Sequence, residues 1–325
     1  MNRTMESMKT HALMPISRSP AVRAGTLARA LALLIAAVLP GMALAAGAPA
    51  RSLANTVANV VVEAVQMPAW VEREGGQRDP VFPGMVVRPS DRLKTGEGSR
   101  LLLRTREGST VKLGANASFR LGAAEQRPGN VFAASMQVLE GAFRFTTDSL
   151  AKYRGRREIT IQVANVTAGI RGTDLWGKSA PNREIVCLIE GRIEVAPQNE
   201  APLTLDQPLQ FYVRENGRSQ PLASVAPEQL KQWAAETEIE AGRGAMRRGG
   251  HWKVTLVTVD TQAAVLDAYD RVREAGYPAT ILPVKEGEKN VYVLRLTHLS
   301  TRAEAEALAL SLKGRMGLDE PRVSR

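Results

Sequence analysis

The chain has 325 residues and a formal net charge of +10; 44% of its residues are hydrophobic, 23% charged and 5% aromatic. These proportions exclude wholesale disorder and collagen-like repetition, and the length points to about two domains. One cysteine excludes an intramolecular disulfide and a cysteine-ligated zinc cluster, and three histidines leave little for a histidine-driven catalytic set, a metal site or any bound cofactor.

Residues 1–29 hold Arg3, Lys9, Arg18, Arg23 and Arg29 against the single acid Glu6, and no charge occurs from Ala30 to Ala46. Pro40-Gly41 breaks this apolar run just before Ala43-Leu44-Ala45. A basic stretch, a short apolar stretch and a small-x-small exit predict a secretory signal over 1–45 and a periplasmic mature chain. An uncleaved inner-membrane anchor is the alternative, since 17 uncharged residues lie at the lower edge of what spans a bilayer. Beyond residue 45 the chain keeps 38 basic and 32 acidic residues, and five of the six excess charges fall in 46–250. An exported protein has little access to nucleic acid, so this basic surface is expected to face anionic envelope polymers or lipid headgroups. The densest basic run, Lys152, Arg154, Arg156 and Arg157, reads as a solvated loop.

From about Val57 to Val213 brief alternating segments are separated by Gly, Pro and Asn turns: Arg100–Arg104, Thr110–Leu113, Ala142–Phe145, Ile159–Val163 and Ile185–Ile189. Apolar side chains on one face at a period of two predict strands, and no amphipathic helix interrupts them, so 55–222 is expected to be an all-β domain. Glu97-Gly98, Glu107-Gly108, Glu140-Gly141 and Glu190-Gly191 each lead into alternating apolar positions. Glycine there permits the positive φ of a tight reversal. Recurrence of this unit predicts a β-solenoid-like stack, with a sandwich as the alternative. Cys187, among branched apolar residues, is expected to be an inert core thiol. Arg171-Gly172-Thr173-Asp174 reads as a side-chain-stabilised turn. Glu140, Asp174, Glu190 and Glu194 are the acids from which a wall hydrolase would draw a carboxylate pair, although turn and strand-edge placement explains each without chemistry.

Asp91-Arg-Leu-Lys-Thr-Gly-Glu-Gly-Ser99, Gly108-Ser-Thr-Val-Lys-Leu-Gly114, Val166–Asp174 and Leu188–Val195 occur in the order of the signatures of the FecR domain, which this region resembles. The resemblance implies an extracytoplasmic β domain that works by protein contact or sensing. The best-known FecR proteins relay a signal to a sigma factor through a cytoplasmic helical domain ahead of a membrane span. Here only 29 residues precede the apolar run, too few for a folded helical domain, so the expectation is the periplasmic module alone, with a transmembrane signalling regulator as the alternative.

Ala226–Glu240 has Pro227 at a helix start and acids in the first turn; Leu230, Trp233 and Thr237 share the face expected to pack on the β domain. Gly242, Gly244, Gly249 and Gly250 with Arg243, Arg247 and Arg248 then read as a flexible hinge, which completes a 223–250 linker. In 251–325 the pattern is β-α-β-β-α-β: Trp252–Val259, a helix over Thr261–Ala275, strands at Ala279–Val284 and Val291–Leu296, a helix over Thr301–Leu312 with a Thr301/Glu304 capping box, and a strand near Val323. Two such halves predict a small α+β, ferredoxin-like domain with both helices on one face of an antiparallel sheet. Trp252–Val323, best at Tyr292–Glu306, resembles the SPOR domain, which binds peptidoglycan glycan strands stripped of stem peptides, often at division septa. Strand alternation points Val254, Leu256, Leu294 and Leu296 at the helices, and Lys253, Thr255, Val257, Val293, Arg295 and Thr297 outward. Arg295 and Thr255 are the leading candidates for glycan contact, with Lys253 and Thr297 secondary: hydroxyls bond sugar hydroxyls and amides, and a guanidinium pairs a lactyl carboxylate bidentately. His298 reads as a turn residue and Trp252 as core edge. The sequence thus predicts a non-catalytic periplasmic protein, held on glycan strands by its C-terminal domain and contacting an unidentified envelope protein through the β domain.

Overall fold

The computed structural model describes residues 60–147, 155–170 and 172–325; the expected leader, Lys152, Arg154 and Arg171 lie outside the described residues. Among the described residues no helix is long and apolar enough to cross a membrane. Strands dominate. In chain order they begin with β1 (Val60–Gln66), β2 (Ala69–Glu72), β3 (Arg78–Pro80), β4 (Arg92–Thr95), β5 (Arg100–Thr105), β6 (Thr110–Leu113) and β7 (Ser118–Arg127). Next come β8 (Val131–Thr146), β9 (Arg156–Val163), β10 (Val166–Ile170), β11 (Asp174–Ala180), β12 (Arg183–Glu190), β13 (Ile193–Pro197), β14 (Leu203–Leu205) and β15 (Gln210–Glu215), with short β16 (Arg218–Ser219) and β17 (Ala223–Ser224).

These strands form two sheets. One runs β1-β5-β6-β8-β11-β12-β15, the other β3-β2-β4-β7-β8-β9-β10-β13-β14. The long β8 serves both, with Glu140-Gly141 at the crossing: residues up to Glu140 pair with β7, and Phe143–Thr146 pair with β6. Solenoid rungs would stack in parallel, whereas here only β8 with β9 is parallel. The inner faces of the two sheets meet in one core, Leu93, Phe119, Phe132 and Ile161 against Leu101, Leu103, Val111, Phe143 and Phe145, so the sandwich describes this domain. Fully burying each such side chain stabilises by about 1.5–3 kcal/mol. The four glycines following Glu97, Glu107, Glu140 and Glu190 all have positive φ, as the repeated unit requires.

At β12 the alternation fails: Glu184, Ile185, Val186, Cys187 and Leu188 are all buried. Its outer face is covered by helix α1 (Pro227–Ala235), whose Trp233 stacks on Trp176 with ring centroids 4.9 Å apart and meets Phe211 edge-on. A second apolar cluster, Ala142, Trp176, Ile185, Cys187, Val213 and Val225, forms beneath it. Burial pushes the Cys187 thiol up to about 12. The native thiol should therefore resist alkylation at pH 8 and react only on unfolding. Because the folded thiol holds its proton more tightly than the unfolded one, its contribution to stability is complete below the unfolded value and is lost as pH rises towards 12. Alkaline unfolding of a Cys187→Ala variant should show a shallower pH dependence; an unchanged slope would refute this assignment.

The helix expected over 226–240 ends at Ala235, where Thr237 Oγ1 donates to the Ala234 carbonyl at 3.0 Å. Residues 236–238 close the helix in a turn with Thr237 buried, and the chain runs on to Glu240 as a short strap. Alternate acids of the strap meet a row of cations on the outer face of the sheet: Glu236 with Lys178 at 2.8 Å, Glu238 with Lys112 and Arg144, and Glu240 with Arg100 at 3.3 Å. Much of the basic excess of the β domain is thus neutralised within the chain. The basic run is also not all solvated: Arg157 pairs with the fully buried Glu107 at 2.9 Å.

The expected hinge is ordered. Its residues form β18 (Ala245–Arg247), which pairs with β1 on one side and, through Met246, with Leu299 on the other. Then follow β19 (Trp252–Val259), α2 (Gln262–Glu274), β20 (Thr280–Glu286), β21 (Lys289–Leu299), α3 (Arg302–Leu312) and β22 (Arg322–Ser324). The strand order is β20-β21-β19-β22, antiparallel throughout. Thr261 and Thr301 cap the two helices through their hydroxyls, but the second arm of the expected capping box is absent. Glu304 turns instead to the linker and accepts from the backbone N–H of Gly242, Gly244 and Ala245 at 2.7–2.9 Å. The sandwich and the C-terminal domain also touch directly. Trp70 donates from Nε1 to the Glu274 carbonyl at 3.1 Å, Arg273 pairs with Asp79, and Gly276, at φ +86°, packs against the Trp70 ring, where a Cβ would lie 2.6 Å from it.

Candidate functional site

The C-terminal sheet has one face under α2 and α3, which bury Val265, Ala268, Val272, Ala305, Leu308 and Leu312 against Val254, Leu256, Leu294 and Leu296. The opposite face carries the four candidate residues. Thr255 and Arg295 are direct cross-strand partners, and Thr280 flanks Arg295 on its other side. Register breaks bracket this pair. One lies between Thr255 and Val257 and leaves Val257 partly packed on the core rather than fully outward. The other lies between Trp252 and Val254, where Thr297 and His298 form an extra pair opposite Lys253. Bulges of this kind re-aim side chains and twist a sheet locally.

The second bulge gathers a hollow of about 740 Å³ lined by Lys253, Thr280, Arg295, Thr297, His298 and Arg325, among others, with no Asp or Glu in its wall. Three of the four candidates therefore converge; Thr255 lies beside Arg295 but outside the hollow wall. The Arg295 Nε is buried without a hydrogen-bond partner among the described residues, so this guanidinium is held in place by packing rather than by a carboxylate. Lys253 Nζ donates to the Arg325 main-chain oxygen at 3.2 Å. Thr297 Oγ1 and His298 Nδ1 share a hydrogen bond at 2.7 Å, and His298, expected in a turn, lies instead in the bulge within β21, with φ +69°. Trp252 is half-buried at the core edge. Cations and hydroxyls on a surface without Asp or Glu side chains suit a ligand bearing carboxylates and hydroxyl groups. Thr280 and Arg325 were missed in the sequence because their strands meet Arg295 and Lys253 only through long-range pairing.

The acids considered for hydrolysis are dispersed in role. Asp174 accepts from Arg144 at 2.6 and 3.0 Å and from Thr146 at 3.1 Å, and this bonding raises the Arg144 guanidinium above its ordinary value. Glu190 lies opposite Asp174 in register, and Glu140 and Glu194 are exposed on strands.

Residues 91–194 match the FecR protein family, and residues 249–320 match the SPOR domain. The chain thus carries a FecR domain followed by a C-terminal SPOR domain. No curated protein matches it. Two solved structures of a candidate anti-sigma factor from Parabacteroides distasonis ATCC 8503 resemble it at a TM-score of 0.36 each. They are 14% and 12% identical, covering 62% and 65% of this chain and 97% and 99% of theirs; likeness at that level assigns nothing further.

Proposed function

We propose that this is a non-catalytic periplasmic peptidoglycan-binding protein, built from a FecR-type β domain and a ferredoxin-like SPOR module that holds glycan strands on its open sheet face. The reading rests most on the hollow without Asp or Glu side chains in which Lys253, Arg295 and Thr297 converge beside Thr255 within the SPOR match. Arg295 pairs a lactyl carboxylate, and the threonine hydroxyls meet sugar hydroxyls and amides. No step of this role needs a cofactor. The FecR domain serves contact with another envelope protein, and the division septum is where stripped glycan would bring the protein. A transmembrane signalling role is the second reading, favoured by the FecR match; it requires a retained anchor, and a mature N-terminus at Ala46 would exclude that form.

Co-sedimentation of the full chain with intact sacculi and with amidase-stripped sacculi tests the proposal. Preferential pelleting with stripped sacculi is expected, weakened about ten-fold or more by Arg295→Ala, since losing a charged hydrogen-bonding partner costs roughly 1.5–3 kcal/mol, and less by Thr255→Ala. Equal pelleting of Arg295→Ala and the unaltered chain would overturn it.

A further inference from the structure

The SPOR sheet face does not end at the domain edge. Thr280, Thr297 and His298 line both the hollow described above and a second one of about 690 Å³, whose far wall belongs to the FecR-side sandwich. That wall is the segment 81–88. Its residues alternate strictly: Val81, Pro83, Met85 and Val87 are buried, while Phe82, Gly84, Val86 and Arg88 are exposed. The inner row is tied to β1 by backbone bonds, Val62 to Met85, Gly84 to Val62 and Val87 to Val60 at 2.8–3.0 Å, so the outer row is presented on a fixed support.

That outer row is an unusual surface. Phe82 is 45% and Val86 41% exposed, two of the five large hydrophobic side chains exposed among the described residues. Gly84 between them leaves open space above its backbone. The Arg88 guanidinium makes no hydrogen bond or ion pair among the described residues, while the one acid of this hollow, Asp79, is already engaged by Arg73 and Arg273. A turn at Pro83-Gly84, closed by the Met85 N–H donating to the Phe82 carbonyl at 3.1 Å, presents Phe82 at one end of the row and Arg88 at the other, and the two adjoining hollows together exceed what a single sugar fills.

We infer that the glycan site is composite: a glycan strand seated on the SPOR sheet continues over the 81–88 row, with a sugar ring stacked on Phe82 and a lactyl carboxylate paired to Arg88. The inference rests on the glycan-binding reading and extends it to the FecR-side domain. An aromatic face beside a side-chain-free glycine turn suits the apolar face of a pyranose, and an unpaired guanidinium fork suits the carboxylate that recurs along the strand. The Arg273–Asp79 and Trp70–Glu274 contacts hold the two walls in fixed relation.

The test uses the full chain with Phe82→Ala, Arg88→Ala, Arg88→Lys and Arg295→Ala, and as probes denuded glycan oligosaccharides from one disaccharide to four. Affinity of the unaltered chain should rise with length. Phe82→Ala and Arg88→Ala should weaken the longer probes about ten-fold and leave the single disaccharide unchanged, with Arg88→Lys between; Arg295→Ala should weaken every length. If Arg295→Ala weakens binding while the Phe82 and Arg88 variants match the unaltered chain at every length, the composite site fails and the SPOR reading stands. If no oligosaccharide binds, both fail. A Phe82 or Arg88 effect seen only with intact sacculi would assign the row to stem peptide or wall-associated protein and overturn the inference. Both residues are exposed, so unfolding midpoints close to that of the unaltered chain are expected.

Discussion

Replacing Glu304 with alanine is expected to destabilise the protein by about 3–5 kcal/mol, since the buried Gly244 and Ala245 N–H groups are left unpaired at about 1–3 kcal/mol each. The carboxylate is buried at the start of α3 and accepts three backbone N–H bonds, from Gly242, Gly244 and Ala245. Alanine leaves those donors without a partner, and an orphaned buried donor costs more than a hydrogen bond is worth. The same change releases the approach to β18, which couples β1 to β21. Glu306→Ala, on the exposed side of the same helix where Glu306 pairs with Arg302, should cost less than about 0.5 kcal/mol. Urea unfolding of both variants decides the matter: equal midpoints would mean that the Glu304 latch does not hold the linker.

Arg157→Ala should be nearly as severe, again about 3–5 kcal/mol. The Glu107 side chain has no solvent exposure, and Arg157, 16% exposed, donates to it at 2.9 Å. Thr105 Oγ1 at 2.9 Å and the Ser109 N–H at 3.2 Å complete its shell, but neither carries a charge. Neighbouring Arg156 is 75% exposed and pairs only with surface Glu158, so Arg156→Ala should change stability by no more than about 0.5 kcal/mol. Thermal unfolding of the two variants should separate them by several degrees; coincident curves would remove Arg157 from the structural framework.

This contrast also shows what could be read from the sequence. Arg156 and Arg157 are indistinguishable in a basic run, and only strand β9 decides that one points inward to a carboxylate 50 residues away. Local alternation was sufficient for Arg100–Thr105 and Thr110–Leu113, where one face is covered and the other open. It failed at β12, whose second face is covered by a helix some 40 residues further along. It failed again at Gly242–Gly250, where glycine and arginine signalled mobility but the backbone is held by partners distant in sequence. At the site, alternation placed Lys253, Arg295 and Thr297 on one face, while the bulges that gather them, and Thr280 beside them, depend on pairing across strands. The 81–88 row carried no signal, because its meaning comes from the domain placed opposite.

The position of β18 bears on how the chain is assembled. β1 obtains β5 as one neighbour within about 40 residues and is bonded on its other edge by 84–87 at Val60–Val62, but the Ala64–Gln66 half of that edge is covered only by Ala245–Arg247, about 180 residues later. A chain emerging N-terminus first would therefore carry an open stretch of strand edge at Ala64–Gln66 through most of its synthesis. The last quarter of the sequence then acts as a closing piece: the sandwich acquires its finished border only when the SPOR domain and its approach strand have arrived. Truncation before residue 245 would cost more than the removed module, since it would leave behind a domain with an adhesive rim.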